Sequence, residues 1–153
     1  MKLTDHLPRE LVKVPLPAAD KTEAITHLVD LLAEHGYTDK RDEVLRDVLD
    51  REAQRTTGIG RGFAIPHAKC DSVDKLTIAF GRPSQPIDFG AIDGKPVSLI
   101  ALLVSPTNET STHIEALAKL SHLVSNGQVL DDLLSAQDAD AAYNIITNSE
   151  QTN

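Results

Sequence analysis

The chain has 153 residues, enough to bury one core without disulfide or metal support, and its fifteen Lys and Arg against twenty-three Asp and Glu leave a formal charge of −8. That balance speaks against a nucleic-acid footprint, and the lone Cys70 excludes an intramolecular disulfide and a cysteine-rich metal site, as suits a reducing, cytoplasmic setting. Pro8, Pro15, Pro17 and scattered charges break the first thirty residues, so neither a signal peptide nor a membrane span is expected there, and no later apolar run is long enough to insert.

In chain order, LVKVPL has strand composition but carries Pro15, which predicts an edge strand. Asp20 and Glu23 form a capping pair for a helix whose Ile25, Leu28, Val29 and Leu32 repeat at helical spacing until Gly36 ends it. Thr38 or Asp39 caps a second helix, with Val44, Leu45, Val48 and Leu49 on one face, running out near Arg55. A glycine-rich segment, TTGIGRGFAIPHAK, follows directly. Leu76, Ile78 and Phe80 alternate with Thr77 and Ala79 as a half-buried strand, whereas VSLIALLV, Val97 to Val104, is a central strand buried on both faces. The connection between them, PSQPIDFGAIDGKP, is rich in turn residues.

Past Pro106 a helix begins near Ser111 with His113 in its first turn, presents Ile114, Leu117, Ala118, Ser121 and Val124 as its apolar face, and stops at Asn126-Gly127. Two shorter helical patterns close the chain, around Val129 to Leu134 and Ala139 to Ile146, before the polar end NSEQTN. The alternation predicts an α/β fold, one domain over 1–153 with its core at about 3–147, built as a mixed β-sheet with helices on both faces.

The glycine segment admits two readings. Gly58, Gly60 and Gly62 either let the backbone cradle an anion with its N–H groups, or permit a tight crossing of chain segments. Two nucleotide motifs fail here, because Phe63 stands where a dinucleotide fingerprint needs its third glycine and no Gly-Lys-Ser/Thr follows for a P-loop. Pro66 holds Ile65 extended and delivers His67 from a stiff backbone, which suits a nucleophilic imidazole whose ring must point one way. His113, in a first helical turn that favours a phosphate dianion, is a natural second member of such a site. A metal site on these two histidines lacks the ligand spacing to complete it, so neither metal nor cofactor is expected. Cys70, three residues beyond His67, reads as a passive thiol; Lys69 adds positive potential; His6, His27, His35 and His122 read as surface or helix-face residues.

The stretches ITHLVDLLAEHG, LDREAQRTTGIGRGFAIPHAK, PIDFGAIDGKPVSLIALLVSP and HIEALAKLS together resemble the enzyme IIA component, of the fructose/mannitol and nitrogen-regulatory type, of the bacterial phosphoenolpyruvate-dependent phosphotransferase system. The resemblance covers nearly the whole chain, and its Thr-Gly-Ile-Gly-x-Gly-x-Ala-Ile-Pro-His run is highly specific. It implies that His67 takes a phosphoryl group from the histidine-containing phosphocarrier protein and passes it to a cysteine of a IIB domain. It matches His113 to the family's second active-site histidine and Arg51 to an arginine that helps with phosphate or partner binding. Arg61 and Phe63 fall where the family varies. In nitrogen-type members the phosphorylation state is instead a signal read by protein targets, and the residues do not separate the two outputs.

Overall fold

The computed structural model describes residues 1–151. Two 3-10 turns, Leu3–Asp5 and Arg9–Leu11, lead into β1 (Val12–Leu16), α1 (Lys21–Glu34) and α2 (Arg41–Gln54). Three short strands follow, β2 (Gly58–Gly60), β3 (Phe63–Ala64) and β4 (His67–Lys69), then the longer β5 (Thr77–Pro83) and β6 (Leu99–Ser105), and finally α3 (Thr110–Ser125), α4 (Gly127–Ser135) and α5 (Ala139–Gln151).

The sheet runs β1-β5-β6-β3-β2, and its axis is β6. β5 lies antiparallel on one side of β6; on the other side β3 pairs in parallel with Leu99 and Ile100, and β4 with Leu103 to Ser105. Pro66, which has no N–H to offer a ladder, sits in the break between β3 and β4 and accepts the Leu103 N–H on its carbonyl. The sheet is therefore mixed and covered on both faces, as the alternating pattern predicts. Leu99, Ala101 and Leu103 of β6 join the core under α3, α4 and α5, while Ile100, Leu102 and Val104 join the core under α1 and α2. A strand buried on both faces needs no polar alternation, which is why VSLIALLV is continuously apolar. β1 is an edge strand, as Pro15 suggests.

The helix ends obey local chemistry where the sequence offers it. Asp20 accepts the Glu23 N–H at the start of α1, and Gly36, at φ +79°, closes it with Gly36 N–H to Ala33 and Tyr37 N–H to Leu32. Four expectations need correction. At α2 the N-cap is Lys40, which supplies no capping bond; Thr38 is occupied by Ser72, donating its hydroxyl to that carbonyl while accepting the Lys40 N–H. β5 is buried on both faces and not half-exposed, because its second face consists of Thr77, Ala79 and Gly81, small enough for α1 to sit directly on it. A Cβ at Gly81 would lie 2.9 Å from the Leu16 side chain and 3.3 Å from that of Leu28.

The third correction concerns α3, which buries His113, Ala116, Leu120, Leu123 and Val124 and leaves Ile114 61 % exposed. Its sequence is apolar around most of its circumference, so helical spacing alone fits two faces, and packing against β6 selects between them. Finally, the polar end is helical to Gln151, and the Glu150 carboxylate accepts the Leu3 and Thr4 N–H groups, tying the two ends of the chain together. Thr152 and Asn153 of that stretch lie outside the described residues.

Candidate active site

His67 opens β4, directly after the extended Ile65 and the rigid Pro66, and its Nδ1 lies 2.7 Å from the Ile65 carbonyl oxygen. A carbonyl only accepts, so Nδ1 carries the hydrogen and Nε2 keeps the lone pair. His113 reaches the same place from the opposite side: β6 ends at Ser105, the chain turns, and the first turn of α3 carries the ring back over the strand end. Its Nδ1 is 2.6 Å from Ser105 Oγ, and its ring centroid is 5.6 Å from that of His67, with the planes tilted by 59°. The two rings, 46 positions apart in sequence, thus share one site because β4 lies beside the C-terminal half of β6.

Burial pushes both imidazoles toward neutrality. His113 is only 6 % exposed, and desolvation, helped by the positive charges of His67 and Lys69, lowers its pKa to about 4. Desolvation also lowers His67, with Arg51 in the same direction; the Ile65 carbonyl and Glu52 oppose it. The consequence for folding has a definite sign. An unfolded histidine protonates near 6.5 and the folded His113 only near 4, so between those values the unfolded state binds more protons and stability falls as pH falls. The urea midpoint should therefore decline from pH 6.5 toward 4, and His113→Gln should flatten that decline.

Arg51, in the last turn of α2, donates to the Arg55 carbonyl at 3.1 Å and lines with His67, Lys69 and His113 an open groove of about 460 Å³. Lys69 Nζ lies 3.3 Å from Thr110 Oγ1 and so holds its charge at the head of α3. Across His67 is a second hollow, walled by Ile59, Ile65, Ile92 and Leu117, with Arg51 shared between the two. The expected trio of His67, His113 and Arg51 is accordingly brought together.

The glycines are not. None of Gly58, Gly60 or Gly62 is among the residues that wall the two hollows, and at Gly58 the close approach of another chain segment needs the missing Cβ. At Gly58 a Cβ would lie 2.9 Å from Ala91 Cβ and 3.1 Å from Ala91 Cα, and Gly60, at φ +98°, and Gly62, at φ +78°, flank the turn that joins β2 to β3. The Asp93 carboxylate steadies that turn by accepting the Arg61 N–H at 3.0 Å. Gly58→Ala should cost about 1–3 kcal/mol in denaturation, the range for overpacking, while the ring signals of His67 and His113 stay in place.

Two residues of the site are missed by sequence reasoning. Glu52, 5 % exposed, accepts the Thr57 N–H at 2.9 Å and the Thr57 hydroxyl, and pairs with Lys21 Nζ at 3.2 Å. The Thr57 carbonyl in turn accepts the Ile65 N–H, so this buried carboxylate fixes the short link between β3 and β4 from which the Ile65 carbonyl grips His67. Its signal was a charge continuing the Val44–Val48 face at the next i+4 position. Ser105 is the other, a polar side chain ending a fully buried strand. Cys70 is wholly buried and its thiol is pushed up to about 12, chiefly by burial, so it is no nucleophile. Among the described residues no helix is long and apolar enough to cross a membrane, and no three His, Cys, Asp or Glu side chains converge as metal ligands would.

Known proteins resemble this chain in sequence and in fold. The sequence model of the family described as "Phosphoenolpyruvate-dependent sugar phosphotransferase system, EIIA 2" matches residues 5–149. The chain is 38% identical to a fructose-specific EIIA component of Haloferax volcanii, over 91% of its own length and 90% of the relative's. It is 35% identical, over 99% of its length, to the fructose-specific EIIABC component of Bacillus subtilis, of which it spans only 24%. Among solved structures, nitrogen regulatory protein IIA-Ntr from Neisseria meningitidis superposes with a TM-score of 0.86 at 32% identity, covering 93% of this chain and 97% of that one.

Proposed function

The chain belongs to the EIIA 2 family of the phosphoenolpyruvate-dependent sugar phosphotransferase system, and on that premise we propose that it is a phosphoryl carrier that accepts the group on Nε2 of His67. The observation that carries the assignment is the Ile65 carbonyl, which fixes the hydrogen on Nδ1 and leaves the opposite nitrogen as the nucleophile. The donor is the phosphorylated histidine-containing phosphocarrier protein. Nε2 attacks phosphorus in line with the departing nitrogen of the donor's imidazole; one P–N bond forms as another breaks, and the donor ring keeps the bonding pair. The newly phosphorylated ring becomes cationic, and the Ile65 carbonyl, already bonded to its Nδ1–H, stabilises that charge. His113, Arg51 and Lys69 face the anionic side of the transfer.

The acceptor in this reading is a IIB cysteine, whose thiolate sulfur takes the phosphoryl group while His67 regains its lone pair. Beside the groove the surface suits protein partners better than a small substrate: Ile59, 43 % exposed, and Ile92, 71 % exposed, line the second hollow together with Arg51 and Arg55. The close likeness to IIA-Ntr favours a second reading, in which the phosphorylated and free forms are read by a regulatory protein target.

Incubation with phosphoenolpyruvate, enzyme I and the phosphocarrier protein should add one acid-labile, alkali-stable phosphate, attached at Nε2 of His67. Absence of that phosphate would overturn the carrier assignment. Subsequent passage to a fructose-type IIB cysteine supports the transport relay; a phosphate that stays on His67 in the presence of IIB supports the regulatory reading.

A further inference from the structure

The two histidines present the same ring atom, Nδ1, to partners of opposite character. His67 Nδ1 meets a carbonyl, which can only accept; His113 Nδ1 meets the Ser105 hydroxyl, which can donate. A neutral imidazole has one donor and one acceptor nitrogen, so the partner at Nδ1 decides what Nε2 offers to the groove. Resting on the phosphoryl-carrier reading above, we propose that Ser105 is a positioning residue that donates its hydroxyl hydrogen to His113 Nδ1 and thereby holds His113 as the Nε2–H tautomer, a donor to the transferring group.

Phosphoryl oxygens accept only, so a useful second histidine must turn a hydrogen toward them. A carbonyl in place of the Ser105 hydroxyl would make His113 a copy of His67, its lone pair facing the phosphate oxygens. The alternative, a His113 protonated on both nitrogens, is opposed by burial and by the neighbouring charges of His67 and Lys69. Ser105 is also well placed to act. It ends β6 opposite Lys69 of β4, its carbonyl accepts the Cys70 N–H at 2.7 Å, and it is fully buried, so its hydroxyl is held on the ring without exchange for solvent. The strand that sets His67 thus sets, through Ser105, the tautomer of its partner.

Nitrogen-15 NMR on the unphosphorylated protein reads both tautomers directly, from which ring nitrogen carries hydrogen. The expected result is hydrogen on Nδ1 of His67 and on Nε2 of His113. Ser105→Ala should release His113 into a mixture of tautomers and slow phosphoryl uptake by roughly 2- to 5-fold, in proportion to the fraction of molecules that keep the Nε2–H form. Ser105→Thr, which keeps the hydroxyl, should restore both. Finding His113 as the Nδ1–H tautomer in the wild-type protein overturns the proposal, and that spectrum decides the matter even if Ser105→Ala does not fold. An unchanged tautomer and rate in a folded Ser105→Ala also overturns it. Failure of the carrier reading is distinct: the wild-type protein would take up no phosphate whatever its tautomers.

Discussion

His67→Ala should lose all phosphate uptake above background while melting close to the wild-type temperature. The expected loss is complete because no other neutral nitrogen in the groove is nucleophilic: Asp47, Asp50 and Gln54, which also line it, bring carboxylates and an amide. His113 offers a hydrogen there, Arg51 and Lys69 are cations, and Cys70 is buried with its thiol pushed up to about 12. The stability change should be small because His67 is half-buried and its ring bonds the carbonyl of Ile65, a residue that lines the open second hollow. His67→Gln is the sharper comparison, since it keeps a donor for the Ile65 carbonyl yet has no nucleophilic nitrogen. It should match wild type in urea and match His67→Ala in phosphate uptake. Phosphate appearing on either folded variant would move the acceptor to another residue and remove the role given to the Ile65 carbonyl.

What the sequence discloses about this site follows the range of the forces involved. The Pro66-His67 pair and the first turn of α3 are local features, so the stiffness behind His67 and the place of His113 are legible from neighbours in the chain. The helical cap at Asp20, the stop at Gly36 and the doubly buried β6 are legible for the same reason. Pairings between distant segments are not. Nothing near Ser105 announces that β4 will lie beside it in parallel register, with Lys69 opposite, and so nothing announces that its hydroxyl will meet a histidine eight residues on. The face of α3 is ambiguous because its apolar residues spread over more than one face, and only contact with β6 sends His113 and Ala116 inward and leaves Ile114 exposed. The glycines are ambiguous for a different reason. An anion cradle and a close chain crossing both require a missing Cβ, and the neighbour that crowds Gly58, Ala91, lies more than thirty residues away in the chain.

His113→Ala should still accept one phosphate, but roughly 10- to 1,000-fold more slowly, the range for losing one donor aimed at developing negative charge. Its rate must be taken per folded molecule, because the substitution also takes from the fully buried Ser105 hydroxyl its partner on the ring, a destabilisation of about 1–3 kcal/mol. His113→Gln separates these effects: it keeps a polar group beside Ser105, and it should recover more stability than rate. If Ser105 acts through His113, the two substitutions must also fail to add. Ser105→Ala should slow the wild-type protein yet change nothing further in the His113→Ala background, since there is no longer a tautomer to hold. A rate loss that multiplies in the double variant would give Ser105 its own contact with the transferring group. An unchanged rate in His113→Ala would confine that histidine to packing under the head of α3 and leave Arg51 and Lys69 to meet the phosphate alone.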